Sequence, residues 1–268
     1  MRETAYAKLN LALHVRARRD DGYHKLETLF AFVEAGDTLV ATRAPADRVT
    51  LSGAFADAIG DPFGNLVARA LNALPRSEGI AVALDKALPV AAGLGGGSAD
   101  AGAVFRLVEA MHGLPTDWRT RAAKLGADVP ACVLSEACIG RGTGTELEPV
   151  TNDLAGTPVL LVNPRVAMPT AEVFAGWDGE DRGGLVKGSM RAMTQWGRND
   201  LQPVAVALRP EIGTVLDALE TTDPWAARMS GSGATCFALY DSEEAMRAAS
   251  AQIADSFPAW WRLETRLR

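Results

Sequence analysis

The 268-residue sequence predicts a mixed protein of strands and helices in two domains, and three observations carry that reading. Ile80, Val82 and Leu84 alternate with Ala81, Ala83 and Asp85 as a half-buried strand does; a glycine-rich loop follows, and Val104, Leu107, Val108 and Met111 then recur at helical spacing until Gly113 offers a stop. Residues 4–15 alternate polar and apolar side chains and predict an early strand, with Lys8, Asn10 and Ala12 on one face. The polar, turn-rich stretch 151–156 stands before Val159, Leu160, Leu161 and Val162, which read as a buried strand. A chain of this length holds one large or two smaller domains, and the expected division is 1–155 and 156–268.

Between these elements, residues 36–84 predict short strands and turns around one helix on which Leu66, Ala70, Leu71 and Leu74 keep helical spacing, with Asn65 as its N-cap. Glycines 176, 179, 183 and 184 among Asp178, Glu180, Asp181 and Arg182 predict a mobile surface loop. Residues 245–253 predict an amphipathic helix and residues 260–267 a last strand.

Composition excludes several classes of function. Hydrophobic residues make up 48% and charged residues 22%, with a mean hydropathy of +0.02, the balance of a soluble globular protein rather than a disordered or collagen-like one. The net charge of −6 and pI of about 5.2 argue against a nucleic-acid binder, whose footprint is a basic face. No apolar run approaches the roughly 20 residues that cross a bilayer, and the first eight residues lack a signal-peptide core, so a cytoplasmic protein without a membrane partner is expected. Three cysteines, Cys132, Cys138 and Cys236, with no Cys-x-x-Cys pair and only His14, His24 and His112 to join them, read as buried reduced thiols rather than a metal cage or disulfide framework.

The chemistry is concentrated in residues 88–101, which place four glycines among positions 93–97 ahead of the predicted helix. Glycine lets the backbone take positive φ and approach a ligand, and the free N–H groups and positive dipole end of the following helix favour an anion. A nucleotide phosphate fits such a loop, although glycine clusters also serve as ordinary loop punctuation. The spacing excludes two common alternatives. A Walker loop needs Gly-Lys-Ser/Thr five places after its first glycine, where Ser98 stands without a lysine. The dinucleotide fingerprint needs a glycine or alanine at position 98.

The run Pro89-Val90-Ala91-Ala92-Gly93-Leu94-Gly95-Gly96-Gly97-Ser98-Ala99-Asp100 closely resembles the phosphate motif of the galactokinase, homoserine kinase, mevalonate kinase and phosphomevalonate kinase (GHMP) superfamily. Its Gly-Leu-Gly-Gly-Gly-Ser-Ala form is most similar to the diphosphocytidyl-methylerythritol kinases of the non-mevalonate isoprenoid route. Ala7-Lys8-Leu9-Asn10 and the run 18–30, with Gly22-Tyr23-His24, resemble the opening of the same kinases. The resemblance implies an α+β, two-domain GHMP fold with the active-site cleft between the domains and one left-handed crossover. It implies ATP and Mg²⁺ as cofactors, with residues 89–99 at the phosphates, Asn65 near adenine and Lys86 near the nucleotide.

For the acceptor, the resemblance assigns Tyr23 and His24 to the cytosine ring, where an aromatic face stacks on any base for about 1–3 kcal/mol and edge hydrogen bonds distinguish one base from another. Without it, both residues would read as a surface turn after Asp21-Gly22. Asn10 joins them on the substrate side, and Phe30 and Phe174 are further candidates for the stacking wall, with core packing as the alternative for both. Gly126-Ala127-Asp128-Val129-Pro130 resembles the segment that carries the family's catalytic aspartate, which makes Asp128 the general base and Lys8 its charge partner. The other reading of Asp128 is a helix cap. The turn 139–144 resembles a segment bordering the cytidine pocket and suggests a contact from Arg141, but Thr145 interrupts the family pattern and a plain hairpin is favoured.

Residues 198–204 match a further family segment to which no chemistry is assigned. Residues 228–237 form the third superfamily motif, whose glycines are expected to pack on the phosphate loop. The implied activity is transfer of the γ-phosphoryl group of ATP to an alcohol of a small cytidine diphosphate-linked substrate, by a monomer or weak homodimer. Two alternatives stay open from sequence: another GHMP kinase, acting on mevalonate, homoserine or a sugar, and a nucleotide-binding regulator without catalysis.

Overall fold

A computed structural model describes residues 1–59 and 65–268. Compactness divides the chain into two units, each assembled from separate segments: unit 1 holds Met1–Lys8, Ala35–Val90 and Gly95–Glu136, and unit 2 holds Leu9–Glu34, Ala91–Leu94 and Ala137–Arg268. This differs from the single cut expected near residue 155. The reason is two long strands, β1 (Arg2–Arg18) and β2 (His24–Ala44), which pair with each other and feed both units. Short strands were expected from residue 36, but β2 begins at His24. Leu29 through Val33 are buried without interruption, so the alternation that marks a strand in sequence is missing there.

In unit 1, residues 38–44 of β2 pair antiparallel with β4 (Gly79–Asp85), and β3 (Arg48–Ser52) lies parallel to β4 on its other side. The alternation of Ile80, Val82 and Leu84 is realised, since all three are buried while Ala83 and Asp85 are exposed. Among the described residues of the unit the α-helices are α1 (Leu66–Ala73), α2 (Gly96–His112), α3 (Trp118–Leu125) and α4 (Val129–Leu134). Asn65 caps α1 as its type predicts, its Oδ1 accepting from Ala68 N at 2.9 Å. Helix α2 packs on α1 and α4 and buries Val104, Phe105, Leu107 and Val108, each worth about 1.5–3 kcal/mol of burial. It stops at Gly113, φ +81°, as the sequence indicated.

Unit 2 contains the hairpin of β5 (Cys138–Gly142) and β6 (Glu146–Pro149), with β5 antiparallel to residues 26–30 of β2. A second, four-stranded antiparallel sheet runs in the order β10 (Trp261–Arg266), β7 (Pro158–Asn163), β9 (Cys236–Leu239), β8 (Ala226–Met229). Every residue of β7 is buried, matching the expected buried strand. Around this sheet lie α5 (Thr170–Ala175), α6 (Met190–Trp196), α7 (Gln202–Leu208), α8 (Glu211–Glu220) and α9 (Glu243–Ser256), the last on the face of Met246, Ala249 and Ile253.

The loop expected to be mobile is anchored on this unit: Arg16 Nε donates to Asp181 Oδ1 at 2.7 Å, and Leu185 N donates to Glu27 Oε2 at 3.1 Å. The three cysteines are buried and none is in a disulfide, with burial pushing the thiols of Cys132 and Cys236 well up.

Candidate active site

In unit 1, β1 delivers Lys8 to the residue that precedes α4. Lys8 is 3% exposed, and its Nζ donates to Asp128 Oδ2 at 2.9 Å. Asp128 occupies the N-cap position of α4, yet its side chain makes no capping hydrogen bond. The cap reading therefore fails on geometry: the carboxylate is spent on Lys8 and not on the backbone. One face stays open, because the Asp128 side chain keeps 34% of its exposure while that of Lys8 keeps 4%.

Gly95 joins this pair. It is the N-cap of α2 with φ +61°, and a Cβ there would lie 3.1 Å from Lys8 Cε and 3.3 Å from Lys8 Cβ. A side chain at position 95 would thus meet both a strained backbone and the lysine stem. Gly96, Gly97, Ser98 and Ala99, read in sequence as loop, form the first turn of α2; Ala99 N donates to Gly95 O at 2.7 Å, while the amide N–H groups of Gly96, Gly97 and Ser98 precede the first intrahelical bond. Lys8, Asp128 and the start of a 17-residue helix lie together.

Lys86, expected near the nucleotide, is held by two carboxylates. It is 2% exposed, with Nζ 2.5 Å from Asp37 Oδ2 and 2.8 Å from Asp100 Oδ2. Sequence reasoning passed over both aspartates, though a signal was present. Asp37 shares the inward parity of Leu39 and Ala41, and Asp100 falls on the helical face of Val104, Leu107 and Val108, positions where a carboxylate requires a buried partner.

In unit 2, the start of the glycine loop meets the third superfamily motif. Asn10 N donates to Ser230 Oγ at 3.2 Å, Ser230 Oγ donates to Gly93 O at 2.8 Å, and Thr235 N donates to Ala92 O at 3.1 Å. Gly93 has φ +76°, and a Cβ there would lie 2.3 Å from Ser230 O. Pro89 and Val90 lead into this turn, Ala91 takes φ +53°, and Leu94 is buried. The 198–204 segment, assigned no chemistry from sequence, is the scaffold of that motif: Asn199 Nδ2 donates to Met229 O at 2.8 Å and to Gly231 O at 2.7 Å. Asn10 is buried, and its Nδ2 donates to Thr28 Oγ1 at 2.8 Å.

The base-recognition candidates separate into two groups. His24 is 7% exposed, its ring 5.2 Å from Phe174 and 5.7 Å, edge-on, from Trp177. Its Nε2 is buried without a hydrogen-bond partner, as is Trp177 Nε1. Burial first, and the nearby Arg18 charge second, lower the His24 pKa and favour the neutral imidazole, which carries both a donor and an acceptor. Tyr23 is 63% exposed beside it in sequence. Phe30 belongs to the core: it is 1% exposed and covers Gly140, where a Cβ would lie 2.5 Å from its Cε2.

Arg141 is also committed, pairing with Glu27 and, at 3.3 Å, with Glu148 across the expected hairpin. It lines a cavity of about 440 Å³ that Glu148, Lys187 and Met193 share, whereas Tyr23, His24 and Phe174 are not among the lining residues. Trp177 was missed in sequence because a tryptophan near a glycine-rich loop gives no signal of its partner.

Known proteins resemble this chain from end to end. Residues 65–136 match the family described as GHMP kinases N terminal domain, and residues 184–259 match GHMP kinases C terminal. A protein of Novosphingobium aromaticivorans named 4-diphosphocytidyl-2-C-methyl-D-erythritol kinase is 65% identical over 100% of this chain and 93% of its own length. One of Erythrobacter litoralis with the same name is 62% identical over 99% of each. A crystal structure of 4-(cytidine 5'-diphospho)-2C-methyl-D-erythritol kinase superposes with a TM-score of 0.82 at 33% identity, covering 100% of this chain and 99% of that one. Three lines therefore agree, the motif spacing, the Lys8–Asp128 geometry and the end-to-end likeness to these enzymes, and the chain belongs to the 4-diphosphocytidyl-2-C-methyl-D-erythritol kinase family of GHMP kinases.

Proposed function

We propose that this kinase transfers the γ-phosphoryl group of ATP to the 2-hydroxyl of 4-diphosphocytidyl-2-C-methyl-D-erythritol, with Asp128 as general base. The observation that supports the reading most is the 2.9 Å contact of Lys8 Nζ with Asp128 Oδ2 at the glycine that opens α2. The acceptor hydroxyl hydrogen-bonds to the open side of the Asp128 carboxylate. As its oxygen bonds to the γ-phosphorus, the bridging bond to ADP breaks and the hydroxyl proton passes to Asp128. Lys8 fixes the carboxylate and offsets charge on the transferring group. The N–H groups of Gly96, Gly97 and Ser98 hold the phosphates at the positive end of α2.

A Mg²⁺ would arrive on the nucleotide's own phosphates. Bound there, it would offset phosphate charge. In unit 2, His24 and Tyr23 recognise the cytosine, His24 through the buried ring nitrogen that lacks a partner, while Asn10 serves the substrate side and Phe174 backs the imidazole. Asn65 keeps its capping bond through Oδ1 and has an unpartnered, buried Nδ2, which suits a contact to the nucleotide base. No helix among the described residues is long and apolar enough to cross a membrane.

The test is ADP release from ATP with four acceptors in parallel: the cytidyl substrate, mevalonate, homoserine and galactose. Turnover with the cytidyl substrate alone supports the reading. Turnover with another acceptor, or with none, overturns it.

A further inference from the structure

Three charged side chains from three elements meet beneath the start of α2, and the mechanism above uses none of them. Asp37 of β2, Lys86 just past β4 and Asp100 of α2 are 0%, 2% and 3% exposed. Beyond its contact with Lys86, Asp37 accepts from Ala87 N at 2.7 Å and Leu88 N at 2.9 Å, so it also fixes the chain that leads into the glycine loop. A Cβ on Gly96 would lie 3.5 Å from Lys86 Nζ and 3.9 Å from Asp37 Oδ2, which puts the cluster directly behind the first residue of the helix.

Two carboxylates face one ammonium, so with all three ionised the cluster holds a formal charge of about −1 behind a helix end suited to an anion. We propose that Asp37, Lys86 and Asp100 are positioning residues for phosphoryl transfer: they hold the first turn of α2 against β2 and β4, and the charge on Asp100 sets how strongly that turn attracts nucleotide phosphate. The proposal rests on the reading of the glycine loop as the phosphate site.

The titration of Asp100 makes the idea measurable. Burial above all, with Asp37 adding repulsion against the opposing pull of Lys86, raises its pKa to about 7, and its Oδ1 has no hydrogen-bond partner. Lys86 and Asp37 are the charged groups that face it; from α4 it meets the Cys132 thiol, which burial keeps neutral. Above neutral pH the extra charge opposes the triphosphate, and below it the cluster is neutral.

The experiment is KM for ATP and for the alcohol substrate from about pH 6 to about pH 9, in the unaltered enzyme, in Asp100→Asn and in Gly95→Ala. In the unaltered enzyme KM for ATP rises on the order of three- to tenfold through a midpoint near 7. Asp100→Asn lacks this step, and KM for the alcohol shows it in neither protein. The nucleotide's own titration is common to both and cancels in the comparison. An identical ATP step in both proteins overturns the proposal, as does a step of equal size for the alcohol. Asp100→Ala carries the same expectation and serves if the amide variant does not fold. Gly95→Ala separates the two ideas: if it leaves KM for ATP unchanged, the loop reading fails, whereas a loss there beside an unchanged Asp100→Asn profile removes only the cluster.

Discussion

The start of α2 in unit 1 and the surroundings of His24 in unit 2 hold their buried polar groups in different ways. In unit 1 the buried polar atoms at the start of α2 are charged and paired, Lys8 with Asp128 and Lys86 with Asp37 and Asp100. In unit 2 the ring of His24 lies against the aromatic rings of Phe174 and Trp177, with the Arg18 charge nearby and two ring nitrogens left without partners. The difference follows from the task each is proposed to serve. Moving a phosphoryl group requires fixed charge where charge develops, and removing such a charge costs rate. Selecting a base requires a shaped wall and a few unpaired edges, and removing those costs affinity.

That contrast is broken or sharpened by four measurements. The largest effect belongs to Asp128→Asn: kcat falls by ~10²–10⁴, while the thermal unfolding midpoint stays close to that of the unaltered enzyme because the side chain caps nothing. In unit 2, His24→Ala raises KM for the cytidyl substrate by about 10- to 100-fold, leaving KM for ATP within about twofold. A drop in kcat equal to the rise in KM would show that the two units do not divide the work as stated.

The third concerns stability against pH. The folded pKa of Asp100 lies near 7, above its ordinary value of 3.8, so the folded state binds the extra proton and its contribution is lost as pH rises through 7. Denaturant unfolding then loses about 2 kcal/mol between about pH 5 and about pH 7 and levels off above that, and Asp100→Asn removes most of that slope. The smallest effect is Arg141→Ala, which breaks half-exposed pairs with Glu27 and Glu148 and changes KM and kcat by less than about twofold.

Much of unit 1 was legible in the sequence, because its signals are local. The β4–loop–α2 order follows from alternation, glycines and a 3.6-residue repeat within about 30 residues. Lys8 and Asp128, 120 positions apart, came together in the reading only through family motifs, since no periodicity reports a contact at that separation. The partners of Lys86 were missed for a related reason: an aspartate on an inward face looks polar by composition, and only its parity reveals burial. Phe30 and Arg141 were substrate candidates for which core packing and a plain hairpin were the other readings; Phe30 is buried in the core and Arg141 pairs across its hairpin. The discontinuous units were not legible at all, because β1 and β2 each serve both and a strand carries no mark of where it changes unit.

The most direct test follows phosphorus. Incubated with ATP and the cytidyl substrate and read by phosphorus NMR, the enzyme is predicted to yield one new phosphomonoester on the acceptor's 2-hydroxyl, matching the ADP formed, with the diphosphate bridge to cytidine intact. Inorganic phosphate with unchanged acceptor, or cleavage of that bridge, would contradict the account.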